Sequence, residues 1–513
     1  MRELTVASSI HNLTQTNTAD FVFENAQTRP THVALRRRVL GDWQDVTSRE
    51  FVDEVGAVAK GVIAAGIQAG DRVAVMSKTS YEWTVADFAL FTAGAVVVPI
   101  YETSSAEQVQ WILSDSGARA AFVETRAHAD LVASVRAECP DLGPVWQFEG
   151  NALDDLATAG RDVSDEEVDA RRRGVQLDDL ASIIYTSGTT GRPKGCQLSH
   201  RCFVSEVHEL QSCLGTLMNL DTSTLLFLPI AHVFGRVIEI GALANGCLLG
   251  HTGDVRNLLA DLADFKPTFV LAVPRVFEKV YNTAKQRAHA DGKGKIFDRA
   301  ESVAISYSEA LDSGRMSLTL RVQHTLFDRL VYGKLRAALG GRCVAAVSGG
   351  APLGSRLGHF FRGVGVTVYE GYGLTETTAA GTVNTPDYNR IGTVGRPVGG
   401  VTVRLADDGE LLLKSELVFS GYWQNKEATD EALEDGWFHT GDIGEIDPDG
   451  YVRITGRKKE LIVTAGGKNV APAVLEDRVR AHWLVGQCLV VGDQQPFVAA
   501  LVTIDPEALP QWL

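Results

Sequence analysis

The chain has 513 residues, of which 45% are hydrophobic and 22% are charged, and its formal net charge is −15. A chain of this length is expected to form at least two domains, and its composition is that of a globular protein, which excludes disordered and fibrous classes. The negative charge makes the surface as a whole repel nucleic acid and anionic lipid, although a local basic pocket for an anionic ligand is compatible with it.

The N-terminus and the cysteines both indicate a protein that is not exported. Residues 1–20 lack the basic-then-apolar order of a signal peptide. The longest apolar run, 88–101, is shorter than the roughly 20 residues that cross a bilayer. The seven cysteines are odd in number and show no metal-ligand spacing, which favours a reducing compartment and no structural zinc. We expect a cytoplasmic protein without a transmembrane segment, for which peripheral membrane contact and a homodimer stay open.

Apolar, β-branched runs alternate with helical patterns over most of the chain, which is typical of parallel sheets covered by helices. A strand–helix–strand unit is predicted over 72–101. A second series of buried strands is predicted at 181–186, 224–230, 268–273, 342–350 and 366–373. The charged stretch 155–175 is predicted to be a linker or solvated helix dividing two subdomains, and the polar segment 285–315 to be helical and partly exposed.

After residue 390 the pattern changes to short alternating strands separated by turn signals. In GEIDPDGYVRITG, the Pro-Asp-Gly turn between two strands predicts a β-hairpin. We interpret this region as an antiparallel barrel or sheet.

The stretch YTSGTTGRPKG, residues 185–195, has the composition of a phosphate-binding loop. Its glycines allow consecutive N–H groups to point at an anion, its hydroxyls add donors and its lysine adds charge. The candidate residues are Thr186, Ser187, Gly188, Thr189, Thr190 and Lys194. The spacing differs from the nucleoside-triphosphatase loop GxxxxGK[ST], because Pro193 removes a backbone donor just before the lysine. On composition alone, a surface loop rich in turn-forming residues is an equal alternative.

Four further segments follow in order, namely SGGAPL (348–353), YGLTET (372–377), WFHTGD (437–442) and GRKKELIVTAGGKNV (456–470). Together with the loop they resemble the motifs of the adenylate-forming enzymes, which include acyl- and aryl-CoA synthetases, nonribosomal-peptide adenylation domains and firefly luciferase. The resemblance extends from about residue 20 to the end of the chain. It implies an α/β fold with a large N-terminal domain, 1–458, of two helix-covered, mainly parallel sheets and a β-barrel-like subdomain. A small α+β domain, 459–513, is expected to follow.

The resemblance implies an adenine site around Tyr372. The ring would lie against the purine, next to Gly373, while the backbone of Gly349, Gly350 and Ala351 would close the other side. Taken alone, Tyr372 would more often be a buried core tyrosine.

The resemblance also implies a metal site and a ribose site. Glu376, with Thr375 beside it, would hold Mg²⁺ together with Thr186, since Mg²⁺ takes few protein ligands and several phosphate oxygens. Asp442 would accept hydrogen bonds from the ribose hydroxyls, with Arg457 as its companion. The alternatives are a helix N-terminus for Thr-Glu, a turn residue for Asp442 and a surface salt bridge for Arg457.

His232, in LPIAHVFGR, matches the family histidine near the carboxylate and the α-phosphate. A histidine after an apolar strand is more often structural, so we predict a positioning role rather than proton transfer. The family often places an aromatic gate residue for the fatty acid close behind this histidine. Here the chain has Phe234 and then Arg236, and the gate is not assigned.

The implied reaction has two halves. A carboxylate attacks the α-phosphorus of ATP to give an acyl adenylate and pyrophosphate, and the thiolate of coenzyme A then displaces AMP. The small domain is expected to rotate between the halves about a hinge at Lys459. By the same resemblance Gly467 lies beside the pantetheine tunnel, where a missing side chain allows close approach, and Lys468 contacts the CoA phosphates.

The segments 228–236, 274–280 and 466–472 resemble the long-chain fatty acyl-CoA synthetase branch, so a fatty acid is the expected substrate. A long alkyl tail needs an apolar tunnel, with about 0.8 kcal/mol gained per buried methylene, and helix 200–220 is a candidate wall. Two alternatives are a fatty acyl-AMP ligase that passes the acyl group to a carrier protein, and a nucleotide- or acyl-binding protein without turnover.

The C-terminal region departs from the family pattern. Residues 460–513 are about half the length of the expected domain, within the small-domain range, and they contain no candidate for the family's adenylation lysine. We expect the chain to be a fragment, since half a domain leaves strand edges uncovered.

Overall fold

The computed structural model describes residues 1–186, 192–465, 469–480, 482, 484–505 and 509. The described strands are β1 Glu3–Thr5, β2 Val33–Val39, β3 Asp42–Thr47, β4 Arg72–Met76, β5 Val96–Ile100, β6 Ala120–Val123, β7 Val145–Gln147, β8 Leu180–Thr186, β9 Lys194–Ser199, β10 Ser223–Leu226, β11 Leu248–His251, β12 Phe269–Ala272, β13 Ala345–Ser348, β14 Thr367–Tyr372, β15 Thr382–Val383, β16 Arg396–Pro397, β17 Thr402–Leu405, β18 Glu410–Lys414, β19 Leu433–Glu434, β20 Trp437–Ile446, β21 Val452–Arg457, β22 Ile462–Val463, β23 Asn469–Val470, β24 Val485–Val491 and β25 Ala499–Ile504.

The described α-helices alternate with these strands through the first three quarters of the chain. They are α1 Asp20–Thr28, α2 Ser48–Ala64, α3 Tyr81–Thr92, α4 Ala106–Ser116, α5 Arg126–Ser134, α6 Ala152–Ala159, α7 Asp165–Gly174, α8 His200–Leu214, α9 Val233–Ala244, α10 Leu258–Phe265, α11 Pro274–Ala290, α12 Gly294–Ser313, α13 Leu318–Phe327, α14 Gly333–Ala338, α15 Ser355–Val364, α16 Lys426–Ala432 and α17 Pro472–Arg480. A π-helical turn, Asp328–Tyr332, joins α13 to α14.

The first sheet has the strand order β7-β6-β4-β5-β8-β9. All neighbours are parallel except β8 and β9, which form an antiparallel hairpin at the edge. Every residue of β5 is buried, as expected for a parallel strand with both faces covered. Every residue of helix α3 except Glu82 is also buried. The Thr84 hydroxyl of this helix lies 2.9 Å from His251 Nε2 of β11, which places α3 between the first sheet and the second.

The second sheet consists of two ladders, β3-β2-β11-β10 and β12-β13-β14-β15-β16. The ladders adjoin at β10 and β12, because the N–H of Thr268 donates to the carbonyl of Ser223 at 2.9 Å. The pairs among β2, β11 and β10 and among β12, β13 and β14 are parallel.

The five strands predicted in the second series are confirmed, and they are divided between two sheets, because β8 pairs with β5 in the first sheet while the other four strands belong to the second. For residues 155–175 the predicted helix is confirmed by α7, which is mostly exposed, whereas the predicted linker is wrong, since α6 packs on α2 and the buried Arg172 of α7 pairs with Asp20 of α1. At that contact Gly61 is required, since a Cβ there would lie 2.2 Å from the carbonyl oxygen of Leu156.

The third sheet is antiparallel, in the order β1-β17-β18-β20-β19, with β21 also paired to β20. The predicted hairpin is confirmed as β20 and β21, which flank the Pro-Asp-Gly turn. After it come the short pairs β22–β23 and β24–β25, with α17 packed on β24. The α/β fold class, with two mainly parallel sheets, an antiparallel half-barrel and a small C-terminal part, is therefore confirmed. Among the described helices we find none with enough length and apolar character to span a bilayer.

Candidate functional site

The β8–β9 hairpin carries both ends of the predicted phosphate-binding loop. Thr186 ends β8, Lys194 begins β9, and the two residues are directly paired across the hairpin. Both side chains line a cleft whose opposite end is apolar. The remaining loop candidates, Ser187, Gly188, Thr189 and Thr190, lie outside the described residues, so their predicted roles stay predictions.

Two other motifs meet at the carboxyl edge of the second sheet. Because β13 and β14 are parallel neighbours, Gly349 and Gly350 after β13 lie beside Tyr372 at the end of β14. Gly373 has to be glycine, since a Cβ there would approach the carbonyl oxygen of Ala379 to 1.9 Å. Strand pairing alone therefore brings the predicted adenine-site segments together.

Tyr372, Asp442 and Arg457 form a hydrogen-bonded chain. Asp442 of β20 and Arg457 of β21 are directly opposite in the ladder, and the Arg457 Nε donates to Asp442 Oδ1 at 3.0 Å. The Tyr372 hydroxyl donates to the other oxygen, Oδ2, at 2.6 Å. Burial raises the pKa of Asp442, and the tyrosine and arginine hydrogen bonds counteract that rise by stabilising the carboxylate. Each oxygen keeps a lone pair for a further donor.

Glu376 lies in the short 3₁₀ turn Thr375–Thr377 and lines the same cleft as Tyr372 and Arg457. Its Oε1 accepts a hydrogen bond from the Tyr422 hydroxyl at 2.7 Å. The ammonium of Lys194 lies over the Tyr422 ring, 5.0 Å from its centroid. A cation, a carboxylate and two hydroxyl-bearing residues thus share this end of the cleft.

His232 caps the N-terminus of α9, and its Nδ1 accepts from the N–H of Phe234 at 3.1 Å. Burial lowers the pKa of His232, so the ring is neutral near pH 7. Phe234 lines the cleft, whereas Arg236 is turned into the core and pairs with Asp87 at 2.5 Å. Arg236 is therefore excluded as the gate for a ligand, and Phe234 remains the aromatic residue at that position.

These residues line one cavity of about 430 Å³ that has a polar end and an apolar end. Its polar end is lined by Thr186, Lys194, His232, Ser348, Gly349, Gly350, Tyr372, Gly373, Thr375, Glu376, Tyr422, Thr440, Arg457 and Lys459. Its apolar end is lined by Leu210, Leu214, Met218, Val233, Phe234, Val237, Ile238, Leu271 and Val347. Helix α8 supplies Leu210 and Leu214 to this lining, and its role as the wall of a tunnel for an alkyl tail stays a prediction.

Glu206, one turn before Leu210 on α8, also lines this cavity. It is fully buried, and its Oε1 accepts from the N–H of Ala380 at 2.9 Å, four residues beyond Glu376. Its Oε2 has no hydrogen-bond partner among the described residues. Burial raises the pKa of Glu206 well above its usual range, because desolvation favours the neutral carboxyl.

A second cavity adjoins the first and shares some of its lining residues, among them Tyr372 and Arg457. It is lined by Gly350, Ala351, Tyr372, Asp442 and Arg457, together with Arg478 and Arg480 of α17. Lys459 lies in the 3₁₀ turn Lys458–Glu460 between β21 and β22, directly at the cleft. Gly467 and Lys468 lie outside the described residues.

Sequence reasoning missed three residues of the cleft. Tyr422 lies outside every motif, and no local signal marks it. Ser348 stands at the start of SGGAPL, and its hydroxyl is buried at the cleft without a partner among the described residues. Glu206 could have been noticed as an acidic residue on the buried face of an amphipathic helix.

The donor set is compatible with a magnesium ion that also binds phosphate. In the part of the chain described here, no group of three or more His, Cys, Asp or Glu side chains could hold a metal by itself. Mg²⁺ commonly keeps only one or two carboxylates and takes its other ligands from water and substrate phosphates. Glu376 supplies one carboxylate at the phosphate end of the cleft, so the residues fit such an ion.

Comparisons with known proteins agree with this geometry. Residues 22–423 match the family model described as AMP-binding enzyme, and residues 459–511 match the model described as AMP-binding enzyme C-terminal domain. The long-chain-fatty-acid–CoA ligase FadD15 of Mycobacterium bovis is 54% identical over 515 residues, covering 100% of this chain and 86% of the relative.

Two more distant proteins extend the comparison. Long chain acyl-CoA synthetase 4 of Arabidopsis thaliana is 32% identical, covering 94% of this chain and 77% of the relative. The crystal structure of the anthranilate CoA ligase AuaEII with anthranoyl-AMP superimposes with a TM-score of 0.75 at 22% identity, covering 96% of this chain and 87% of the other. The last comparison supports the fold alone.

Proposed function

Because the chain belongs to the AMP-binding enzyme family, we propose that the described cleft activates a long-chain fatty acid with ATP and transfers the acyl group to coenzyme A. The chain is a long-chain fatty acid–CoA ligase of the AMP-forming type. The acid is joined first to AMP, with release of pyrophosphate, and then to the thiol, with release of AMP.

The observation that carries this proposal is the two-ended cavity. Tyr372, Glu376 and Lys194 lie at its polar end, and the wall formed by α8 and α9 encloses its apolar end. A fatty acid whose alkyl chain occupies the apolar end would place its carboxylate where the two ends of the cavity meet, beside His232. Such an arrangement favours long acids, since each methylene buried there contributes about 0.8 kcal/mol.

In the first half-reaction the protein positions two anions and stabilises the charge that develops. A carboxylate oxygen of the acid attacks the α-phosphorus in line, and the bond from that phosphorus to the pyrophosphate oxygen breaks. Lys194 and the Thr186 hydroxyl donate to the phosphates, while Asp442 and Tyr372 hold the ribose and the base. Binding in a fixed geometry supplies much of the acceleration, so no covalent enzyme intermediate is needed.

His232 would act as a neutral donor or acceptor that fixes the orientation of the acid. Its Nδ1 already accepts from the Phe234 backbone, so the hydrogen lies on Nε2 and is available to an oxygen in the cleft. Glu376 is the residue that would hold Mg²⁺, with Thr186 near it. When bound, Mg²⁺ supplies charge neutralisation at the phosphate oxygens.

In the second half-reaction the sulfur of CoA attacks the acyl carbon and the bond to the AMP oxygen breaks. We assign Lys459 as the hinge, because it lies in a short turn at the point where the third sheet ends. Gly467 and Lys468 remain the candidates for the pantetheine arm and the CoA phosphates. The domain boundary at 458/459 belongs to this proposal.

The test is acid-dependent ATP–pyrophosphate exchange with a series of acids from acetate to stearate, followed by CoA-dependent release of AMP. We expect exchange to rise with chain length and to reach its maximum with long acids. Exchange with short or aromatic acids only would overturn the assignment of substrate. Exchange without AMP release on CoA, but with release on a phosphopantetheinyl carrier protein, would overturn the assignment of acceptor.

A further inference from the structure

The surface of the helical segment 318–338, formed by α13, the π-helical turn and α14, carries an apolar stripe. The stripe consists of Leu318, Val322, Leu326 and Leu330, whose side chains are 80%, 70%, 55% and 51% exposed. Residues spaced by four lie on one face of a helix, so the four side chains form a continuous row. Contiguous exposed apolar surface of this kind marks an interaction site.

The opposite face of the segment is firmly packed, so the stripe belongs to an ordered helix. Phe327, Tyr332 and Leu335 are buried in the core. The ring of His324 stacks on Tyr307 at 3.7 Å between centroids, and its Nε2 lies 2.7 Å from the carbonyl oxygen of Gly363. The exposure of the stripe is therefore a property of the folded protein and not of a loose segment.

The stripe lies in the most basic part of an acidic chain. Between residues 313 and 345 six Lys or Arg residues stand against a single acidic residue, Asp328, whereas the whole chain carries a net charge of −15. Asp328 is paired with Arg336 at 2.7 Å. The remaining basic residues of this segment, Arg315, Arg321, Arg329, Lys334 and Arg342, are exposed and make no ion pair with any described residue.

Two of these cations lie beside the stripe itself. Arg321 follows Leu318 by three residues and Arg329 follows Leu326 by three residues, so each exposed arginine is the neighbour of a stripe residue on the helix surface. An arginine next to an apolar row can lay its stem on the apolar surface and keep its guanidinium at a charged layer. Apolar and cationic groups are thus arranged on one surface in the manner of an interfacial helix.

We infer that the stripe and its flanking arginines dock the protein on an anionic lipid surface. The four apolar side chains would enter the boundary between headgroups and acyl chains, and the arginines would pair with lipid phosphates. Because the rest of the protein is acidic, an anionic membrane attracts this segment and repels the other faces, which fixes the orientation. A second copy of the chain would bring the same cations to the contact, so charge favours lipid over self-association.

The inference concerns a surface and does not depend on the chemistry of the cleft. It complements the proposed function, because a long-chain fatty acid is an amphiphile that partitions into bilayers. Docking would place the protein next to the pool of its substrate.

The experiment is flotation of the whole chain with vesicles of phosphatidylcholine, with and without phosphatidylglycerol. We expect binding only to the anionic vesicles and a decrease with added salt. The variant Val322→Ser/Leu326→Ser should lose binding, and Arg321→Gln/Arg329→Gln should bind about 30-fold more weakly, since each arginine near the surface contributes about one factor of five. Leu40→Ser, which alters an exposed leucine outside the segment, is the matched control and should bind like the parent chain.

Other outcomes overturn the inference in distinguishable ways. Equal binding of the stripe variants and the parent chain, or no binding to either vesicle, excludes lipid docking by this segment. Dimerisation in size-exclusion chromatography that the stripe variant abolishes assigns the surface to a second copy. ATP–pyrophosphate exchange with a water-soluble acid, measured without vesicles, should be unchanged in all variants, so a failure of the proposed function is detected separately.

Discussion

The hydroxyl of Tyr372 donates a 2.6 Å hydrogen bond to Oδ2 of Asp442, a residue seventy positions away on a different sheet. This bond joins the end of β14 in the second sheet to β20 in the third. It also orients the carboxylate that we propose to hold the ribose. The contact therefore connects the two walls of the nucleotide end of the cleft.

Tyr372→Phe should shift the pH dependence of kcat/KM for ATP to higher pH. Burial raises the pKa of Asp442, and the tyrosine hydrogen bond lowers it by stabilising the ionised form. Without that bond the pKa of Asp442 rises further, so Asp442 becomes protonated at a higher pH. The acidic limb of the pH profile of kcat/KM for ATP therefore shifts to higher pH. The ring is retained, so kcat at alkaline pH should change little. Tyr388→Phe, on an exposed tyrosine, is the control, and an unshifted limb would contradict the assigned contact.

Glu376→Ala should remove magnesium-dependent exchange without unfolding the protein. The loss of a metal ligand is expected to reduce ATP–pyrophosphate exchange by on the order of 100-fold or more. The side chain accepts a hydrogen bond from Tyr422, and the loss of one such bond should leave the melting temperature within a few degrees of that of the parent chain. Glu427→Ala, which changes an exposed acid at the start of α16, is the control. Full exchange in Glu376→Ala would rule out the metal role.

The sequence predicted those parts of the site that depend on strand ends. Gly349, Tyr372 and Asp442 belong to motifs, and the strands that carry them pair as their apolar patterns indicate. Tyr422 was not predictable, because its contact with Glu376 spans 46 residues and joins the turn after β14 to a loop that is held against Cys196 of β9. No local pattern encodes such a contact.

Arg236 and the stretch 155–175 illustrate a second reason why the sequence does not predict every contact. Their charge predicts exposure, but tertiary partners override it. Arg236 is paired with Asp87 of α3, and Arg172 is paired with Asp20 of α1, so both arginines are buried. A buried charge depends on a partner distant in sequence, which hydropathy cannot reveal.

Glu206→Gln should make stability less dependent on pH. Burial raises the pKa of Glu206 in the folded protein, so the folded state binds the proton more tightly than the unfolded state does. The stabilising effect of the bound proton is complete below the unfolded pKa, near 4.5, and is lost as pH rises toward the folded pKa. Glutamine stays neutral and can accept from Ala380 with its carbonyl oxygen.

We therefore expect the free energy of unfolding of Glu206→Gln to exceed that of the parent chain at alkaline pH and to approach it at acidic pH. The difference should grow by up to about 1.4 kcal/mol per pH unit. Urea unfolding of both proteins at a series of pH values from about 5 to about 9 measures this difference. A difference that does not vary with pH would show that Glu206 is ionised in the folded protein. Glu427→Gln, on an exposed acid, should give no such trend.

Asp87→Ala should be the most destabilising of these substitutions. Asp87 and Arg236 are both 0% exposed and lie 2.5 Å apart, so the substitution leaves a buried guanidinium without its partner. Breaking a buried pair in this way costs about 3–5 kcal/mol. Asp45→Ala removes the partner of Arg36 in a half-exposed pair, and it should cost about 1 kcal/mol or less.

The neighbour of this pair provides a sharper test. Glu239 lies one turn after Arg236 on α9 and is also fully buried. Burial, together with the charge of Asp87, raises the pKa of Glu239. In Asp87→Ala that repulsion is absent, so Glu239 can ionise and partly neutralise Arg236. The double variant Asp87→Ala/Glu239→Gln should then be less stable than Asp87→Ala, although glutamine is close to glutamate in size. Urea unfolding at neutral pH measures both, and equal stability of the two variants would show that Glu239 does not act as the second counter-ion.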